Sequence, residues 1–193
     1  MQATQLIFAS NNKGKIKEVQ QMAPTGLSII SMREAGIDTD IPEPFDTFRE
    51  NAHAKASYIK KVTGIDCFAE DSGICVAALG GRPGVFSARY AGDPGNDDRN
   101  NEKLLAELKN SADRSAWYQS TICLLWQGGV YYFEGRCEGT ILEQPTGSGG
   151  FGYDPLFAPN GYGQSFGELL PDAKNSISHR GKAMRQFIEF LSG

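Results

Sequence analysis

Short apolar segments alternate between strand-like and helical patterns along the first half of the chain, and this alternation most constrains the fold. Residues 6–9 form an apolar run typical of a buried strand, a helical pattern follows, and residues 27–31 repeat the strand pattern. Further along, residues 117–126 and 130–138 flank Gln127-Gly128-Gly129 like the arms of a hairpin. An alternation that gives way to a hairpin predicts an α/β fold with a mixed sheet, not a purely doubly wound one.

The size and charge of the chain exclude several classes of protein. Its 193 residues are enough for one sizeable core, and we treat 1–193 as a single domain. The net charge of -4 gives no basic field for nucleic acid or an anionic membrane, and no apolar run has the length of a membrane span. None of the four cysteines lies in a C-x-x-C pair, and the first residues do not resemble a signal peptide. We expect a cytoplasmic protein with reduced thiols and no nucleic-acid or membrane partner.

Two adjacent carboxylates stand out in residues 67–73, which read Cys-Phe-Ala-Glu-Asp-Ser-Gly. The pattern predicts a strand that ends and turns sharply at Gly73. In a regular strand Glu70 and Asp71 would point to opposite faces, whereas a turn or bulge would bring both to one site. Two carboxylates there would suit Mg²⁺, which prefers oxygen ligands. The alternative is a solvated acidic turn.

A second polar segment, residues 10–15, reads Ser-Asn-Asn-Lys-Gly-Lys and lies between the first strand and the first helix. Free backbone N–H groups, the positive helix end and two lysines make such a loop a natural anion site. It is not a Walker A loop, because the G-x-x-x-x-G-K-[ST] spacing is absent. The alternative is an N-capping loop with solvated lysines.

The next helix carries one lysine of interest. Thr47 and Glu50 have the spacing of a capping box at its start. Lys55 is either a surface lysine with a buried stem or a residue that reaches a phosphate. Before the helix, Glu43 lies between two prolines, on a backbone that they stiffen.

A glycine-rich segment, residues 146–155, matches G-x-G-x-x-G but does not favour a dinucleotide-binding fold. Pro145 separates it from any strand, and Pro155 falls where the dinucleotide-binding helix would run. A flexible loop that presents Phe151 and Tyr153 is the better interpretation, since an aromatic ring can stack on a base and Asp154 can accept from a base N–H.

The residues from 158 to 173 look like a surface excursion, and an amphipathic helix follows with Ser176 or Ser178 as its cap. Lys174, His179 and Arg180 place cations at or before its N-terminus, where they oppose the helix dipole. Either this is a tolerated surface cluster, or these donors face a ligand.

Taken in order, these segments resemble the Ham1/ITPase family of non-canonical purine nucleoside triphosphate pyrophosphatases. Each motif is modest alone, but the ordered set is specific and spans nearly the whole chain. The segments are residues 10–15, Phe48-Arg49-Glu50-Asn51-Ala52 with Lys55, Pro83 to Tyr90, Glu70-Asp71-Ser72-Gly73, residues 149–155 and Ser178-His179-Arg180-Gly181.

The resemblance implies hydrolysis of ITP, dITP and XTP to the monophosphate and pyrophosphate with Mg²⁺. It also implies an elongated α/β fold, in which a mixed sheet is flanked by helices and two lobes enclose a central cleft, and a homodimer. By resemblance Asp71 is the proton acceptor and a metal ligand, and Glu43 and Glu70 are further metal-site acids. Lys55 is implied as a second catalytic residue, on the triphosphate side. Family members often have Asp where this chain has Glu70. The substrate-binding residues implied are Ser10, Asn11, Asn12, Lys13, Gly14, Lys15 and Ser72 on the phosphate side, and Phe151, Gly152, Tyr153, Asp154, Lys174, His179 and Arg180 on the base side.

Two rival hypotheses remain. A related pyrophosphatase for modified pyrimidine or other nucleotides would keep the phosphate site but not the base-side segments. A nucleotide sensor would lack the metal carboxylates, yet Glu43, Glu70 and Asp71 are all present.

Overall fold

The computed structural model describes residues 4–193, so residues 1–3, on which the expectation about a signal peptide partly depends, lie outside it. Six strands and five α-helices make up the described chain. In chain order they are β1 (Thr4–Phe8), α1 (Lys13–Met22), β2 (Leu27–Ser31), α2 (Phe48–Thr63), β3 (Cys67–Val76), α3 (Asp97–Glu107), β4 (Ser115–Trp126), β5 (Gly129–Ile141), β6 (Phe157–Pro159), α4 (Pro171–Ile177) and α5 (His179–Ser192). No helix within residues 4–193 is long and apolar enough to cross a bilayer.

The six strands form one mixed sheet in the order β2-β1-β3-β4-β5-β6, which confirms the predicted α/β class. Strand β1 runs parallel to both β2 and β3, whereas β6 is antiparallel to β5. The predicted hairpin is present, because only Gln127 and Gly128 separate β4 from β5. Both residues have positive φ, 49° and 82°, as a tight two-residue hairpin turn requires.

The chain divides into two compact units. The first consists of the described residues up to Asp71 with Ser120–Glu134 and Gly181–Gly193, and the second of Ser72–Gln119 and Gly135–Arg180. The unit boundary falls between Asp71 and Ser72 in β3 and between Gln119 and Ser120 in β4. Neighbouring residues of one strand therefore belong to different units.

In the first unit, β1 is buried on both faces. Leu6 and Phe8 pack with apolar side chains of α1 and α5, while Ile7 packs with the alanines of α2. Such a strand reads as a continuous apolar run because neither face meets water. Helix α2 begins as predicted, since the Thr47 hydroxyl accepts from the Glu50 N–H at 3.2 Å and donates to the Glu50 carboxylate at 2.6 Å.

The second unit corrects the prediction that residues 158–173 are a surface excursion. Phe166 is fully buried and packs on Tyr118 and Phe157, with ring centroids 5.9 and 5.0 Å away. Helix α4, with Pro171 at its first position, was also not predicted. Many polar and glycine residues surround Phe166 in the sequence, so its place in the core carried no periodic signal.

The prediction of a sharp turn at Gly73 was wrong, because β3 continues through it to Val76. A Cβ atom at residue 73 would lie 2.2 Å from the Gly84 carbonyl oxygen and 2.4 Å from the Ser87 hydroxyl. Glycine is required there by a close approach of another backbone segment, not by a turn. Because β3 stays extended, successive side chains along it alternate between its faces.

Candidate active site

The first unit gathers charged side chains, most of them buried, around the middle of β3. We call these residues the acid cluster: Lys15, Glu43, Lys55, Glu70 and Asp71. Two lysines meet three carboxylates, so the cluster keeps one net negative charge when all five groups are ionised. A buried excess of negative charge favours the binding of a cation.

Lys55 is the centre of this cluster. Its ammonium group donates to the Glu43 carboxylate, to the Glu70 carbonyl oxygen at 2.9 Å and to Asp71 Oδ1 at 3.3 Å. Burial by itself lowers the pKa of Lys55, but the carboxylates of Asp71, Glu43 and Glu70 outweigh it and hold that pKa above its ordinary value. Of the two predicted interpretations, the exposed surface lysine is therefore wrong, because only 9 % of the Lys55 side chain is accessible.

Asp71 has one oxygen that makes no hydrogen bond within the described part of the chain. Its side chain is 5 % exposed, Oδ1 faces Lys55, and Oδ2 is buried with no hydrogen-bond partner among residues 4–193. Burial raises the pKa of Asp71, the positive charges of Lys55 and Lys15 partly offset that rise, and Glu43 adds to it. An orphaned buried carboxylate oxygen is costly unless a ligand completes it.

Glu70 lies beside Asp71 in β3 but has a different lysine partner. Its Oε2 lies 3.3 Å from Lys15 Nζ, and its Oε1 accepts a hydrogen bond of 2.7 Å from the Ser120 hydroxyl. Within residues 4–193 no three His, Cys, Asp or Glu side chains are grouped so that they could hold a metal ion by themselves. A metal shared by Glu43, Glu70 and Asp71 thus stays a prediction.

The loop before α1 caps the helix, and its predicted role as an anion site stays a prediction. Asn12 caps the helix, as its Oδ1 accepts from the Lys15 N–H at 3.0 Å, and the Asn12 N–H donates to Ser10 Oγ at 3.2 Å. Lys13 and Asn12 are exposed, whereas the Lys15 side chain is only 15 % exposed. Asn11 Oδ1 is buried without a partner in the described part of the chain. Gly14 lies in the first turn of the helix.

The second unit gathers a different set of buried charges. We call these residues the donor cluster: Phe151, Asp154, Lys174, His179 and Arg180. Lys174 Nζ donates to Asp154 Oδ2 at 2.5 Å and lies 5.1 Å from the centre of the Phe151 ring. The predicted tolerated surface cluster is wrong, since all three predicted cations of this region are less than 5 % exposed.

Arg180 and His179 are held by residues from distant parts of the sequence. Arg180 Nη2 donates to Ser72 Oγ at 3.1 Å, and its guanidinium carbon lies 5.4 Å from the Phe151 ring centre. The His179 ring stacks on Tyr118 with 4.5 Å between centroids and an interplanar angle of 7°. Ser72, predicted for the phosphate side, contacts a residue predicted for the base side.

The glycine-rich loop is tied down, in contrast to the flexible loop that we predicted. Asp154 Oδ2 accepts from the Phe151 N–H at 2.9 Å, and Gly150 at φ 75° leaves room for it, because a Cβ there would lie 2.1 Å from that oxygen. Tyr153 is 3 % exposed and donates to the Ser87 carbonyl at 2.8 Å. The Phe151 ring is half-buried, and both Lys174 and Arg180 lie within 5.4 Å of its centre, whereas the Tyr153 ring is buried. Stacking of Tyr153 on a base stays a prediction.

A family model decides the relationship, because the model of the Ham1 family matches residues 6–190. The chain belongs to the Ham1 family.

Relatives in this family are similar over their whole length. The chain is 47 % identical over 187 residues to a dITP/XTP pyrophosphatase of Christiangramia forsetii, covering 97 % of this chain and 98 % of the relative. It is 48 % identical over 187 residues to one of Flavobacterium johnsoniae, covering 97 % of each. The solved Ham1 protein of Staphylococcus aureus superposes with a TM-score of 0.88 at 37 % identity, covering 98 % of this chain and 99 % of that one.

The sequence analysis did not identify several residues that hold the backbone beside the candidate site. Asn51 is fully buried and brackets Phe45 by two hydrogen bonds of 3.0 Å to its N–H and carbonyl, beside the loop that carries Glu43. Asp97 and Asn101 of α3 hold the Gly152 peptide at 2.7 and 3.1 Å. Asn51 lies in a family motif, but an uncharged side chain in a helix does not by itself indicate a functional role. The two α3 residues look like ordinary helix-start residues.

Proposed function

We propose that this chain hydrolyses the non-canonical purine nucleoside triphosphates ITP, dITP and XTP to the monophosphate and pyrophosphate. The observation that carries the proposal is the buried Asp71 carboxylate, with Lys55 on one oxygen and no partner among the described residues on the other. Membership of the Ham1 family and the names of the relatives support the same activity.

Mg²⁺ fits the acid cluster on chemical grounds. Its oxygen preference matches the carboxylates, the cluster has a net negative charge, and Asp71 Oδ2 has no partner among residues 4–193. Asp71 and Glu43 are the residues that would hold the ion. When bound, Mg²⁺ would offset phosphate charge and lower the pKa of a coordinated water.

The residues of the acid cluster supply the rest of the chemistry. Asp71 accepts the proton of the attacking water, because its carboxylate is buried and its Oδ2 has no hydrogen-bond partner among residues 4–193. Lys55 orients Asp71 and Glu43 and keeps the cluster from repelling an anionic substrate. Lys13 and Lys15, with N–H groups at the start of α1, bind the phosphates and the departing pyrophosphate.

The donor cluster accounts for the choice of base. Arg180 and Lys174 present N–H donors beside the Phe151 ring, on which a purine can stack. The 6-oxo group of hypoxanthine or xanthine accepts such donors, whereas adenine offers a 6-amino donor and leaves them unpaired. A mismatch of this kind discriminates by up to about 10⁴-fold.

Family resemblance extends the proposal to a homodimer that works in the cytoplasm. Size-exclusion chromatography with light scattering tests the dimer directly. A mass of one chain at micromolar concentration contradicts it.

Pyrophosphate release from ITP, XTP, ATP, GTP and dUTP, each with Mg²⁺ and with EDTA, tests the proposed activity. We expect metal-dependent turnover of ITP and XTP only. Turnover of dUTP instead would favour a pyrimidine pyrophosphatase and discard the assignment of the donor cluster. Binding of ITP without any turnover would place the protein among nucleotide sensors.

A further inference from the structure

The Glu70 carboxylate has a specific partner on each oxygen. Oε1 accepts from the Ser120 hydroxyl at 2.7 Å, and Oε2 lies 3.3 Å from the Lys15 ammonium. Glu70 and Ser120 are 1 % and 0 % exposed, so water does not compete for this contact. The carboxylate is therefore fixed between β4 and α1.

Ser120 comes from a different strand, 50 residues further along the chain, and its fully buried hydroxyl has a single proton to donate. That proton goes to a carboxylate, and hydrogen bonds to charged acceptors are among the stronger ones in proteins. Without it, Glu70 Oε1 would lose this donor in a site from which water is excluded.

Lys15 is at the other end of this chain of contacts. It is the third residue of α1, in the loop-to-helix segment proposed to bind phosphates, and its side chain is 15 % exposed. An ammonium group has three N–H donors. One carboxylate oxygen uses one donor, so Lys15 can be oriented by Glu70 and still donate to a phosphate.

We propose that Ser120 is a positioning residue for the triphosphate site: it fixes Glu70, and Glu70 fixes Lys15 toward the phosphates. Glu70 then acts as an anchor for a lysine and not as a metal ligand, which leaves Asp71 and Glu43 to hold the ion. This inference rests on the proposed function for the identity of the ligand.

The next residue offers a matched control. Thr121 is 1 % exposed, and its hydroxyl is buried with no hydrogen-bond partner in the described chain. Thr121→Val removes a buried hydroxyl at almost the same volume, and Ser120→Ala removes the neighbouring one. Neither change alters the charge of the site, so long-range attraction of the phosphates is the same in both variants.

Calorimetric titration with ITP and with inorganic triphosphate in EDTA measures the effect without turnover or metal. We expect Ser120→Ala to weaken binding of both ligands about three- to tenfold, because the lost hydrogen bond acts on the phosphates only through Glu70 and Lys15. Thr121→Val should stay within about twofold. If Ser120→Ala melts well below the wild type, Ser120→Cys keeps the volume with a weak donor and should show the same loss.

A double-variant cycle tests whether the effect passes through Lys15. In a Lys15→Met background, Ser120→Ala should change triphosphate affinity by less than about twofold, because the positioned group is gone. An equal loss in both backgrounds would reduce Ser120 to a general structural residue and overturn the proposal.

The Mg²⁺ concentration for half-maximal turnover separates the two roles of Glu70. If Ser120→Ala leaves affinity in EDTA unchanged and raises only this concentration, Glu70 is a metal ligand and the anchor role is wrong. Failure of the proposed function looks different, since the wild type would then release no pyrophosphate from ITP. If the wild type releases no pyrophosphate but Ser120→Ala loses binding of inorganic triphosphate, the anchor role of Glu70 is still supported. A wild type that releases no pyrophosphate and binds neither ITP nor inorganic triphosphate would overturn both the proposed function and the anchor role.

Discussion

The acid cluster and the donor cluster are both buried, yet they have opposite charge balance. In the acid cluster three carboxylates meet two lysines, and Asp71 keeps an oxygen without a partner among the described residues. The donor cluster has one carboxylate, Asp154, whose Oδ2 accepts from both Lys174 and the Phe151 N–H. The residues of the acid cluster thus carry an excess of negative charge, and those of the donor cluster an excess of positive charge.

Under the proposed function, this difference in charge assigns the reaction to the acid cluster and the choice of base to the donor cluster. An incomplete buried carboxylate is poised to bind a cation and accept a proton, which is chemistry. In the donor cluster a carboxylate with its hydrogen bonds made holds Lys174 beside an aromatic ring, and under the proposed function this arrangement serves recognition of the base. Variants of the acid cluster should therefore act on turnover, and those of the donor cluster on the choice of base.

The largest effect is expected for Asp71→Asn. Asparagine keeps the shape but neither accepts the water proton nor binds the metal well, so turnover of ITP should fall by at least about 10³-fold. The fold should survive, because burial already disfavours the charged form of Asp71. Pyrophosphate release and a thermal melt measure both properties.

Asp66→Asn is the control, since Asp66 belongs to the same unit but pairs with Lys60 at 2.7 Å, outside the acid cluster. It should retain turnover. Normal activity of Asp71→Asn would remove Asp71 from the mechanism.

The second prediction compares the two buried lysines. Lys55→Met and Lys174→Met each leave buried carboxylate charge without its lysine, which should lower the free energy of unfolding by about 3–5 kcal/mol. Mg²⁺ can replace the lost positive charge only in the acid cluster. Added Mg²⁺ should thus raise the melting temperature of Lys55→Met more than that of Lys174→Met.

Thermal melts in EDTA and in Mg²⁺ measure this difference. An equal response of the two lysine variants would contradict the opposite charge balance of the clusters.

Arg180→Ala tests the role of the donor cluster in recognition. Removing the guanidinium beside Phe151 takes away a donor for the 6-oxo group, so the ratio of kcat/KM for ITP over ATP should fall about 10- to 100-fold. The rate with ITP should fall less than this ratio. Arg136→Ala, whose side chain is 51 % exposed, is the control and should leave the ratio unchanged. An unchanged ITP/ATP ratio in Arg180→Ala would show that Arg180 does not select the base.

Local sequence patterns predicted what depends on neighbours in the chain. The capping box at Thr47 and the hairpin turn at Gln127 and Gly128 follow from a few adjacent residues and are confirmed. The mixed sheet followed from the order of the segments, and the ordered motifs of a known family indicated which charged residues to inspect.

Contacts between distant segments could not be predicted in this way. Gly73 looked like a turn residue because the backbone of Gly84, which approaches it, lies 11 residues further along the chain. The sequence around Ser120 is a plain apolar strand, and nothing there indicates that its hydroxyl meets Glu70. Likewise, the pairing of Lys15 with Glu70, and of Lys55 with Asp71, depends on which strands and helices are adjacent in space.

The smallest effect is expected for Tyr153→Phe. This variant tests whether Tyr153 helps to choose the base or only stabilises the fold. Its hydroxyl donates to the Ser87 carbonyl at 2.8 Å, and that carbonyl also accepts from Asn100 Nδ2 at 3.3 Å. Loss of one of two donors should lower the free energy of unfolding by about 1 kcal/mol, measured by urea denaturation. Because the ring lies in the core, the preference for ITP over ATP should stay within about twofold, as the mismatch penalty involves other donors. A changed preference for ITP over ATP with unchanged stability would instead show that the Tyr153 hydroxyl takes part in the choice of base. The choice of base would then involve a residue outside the donor cluster.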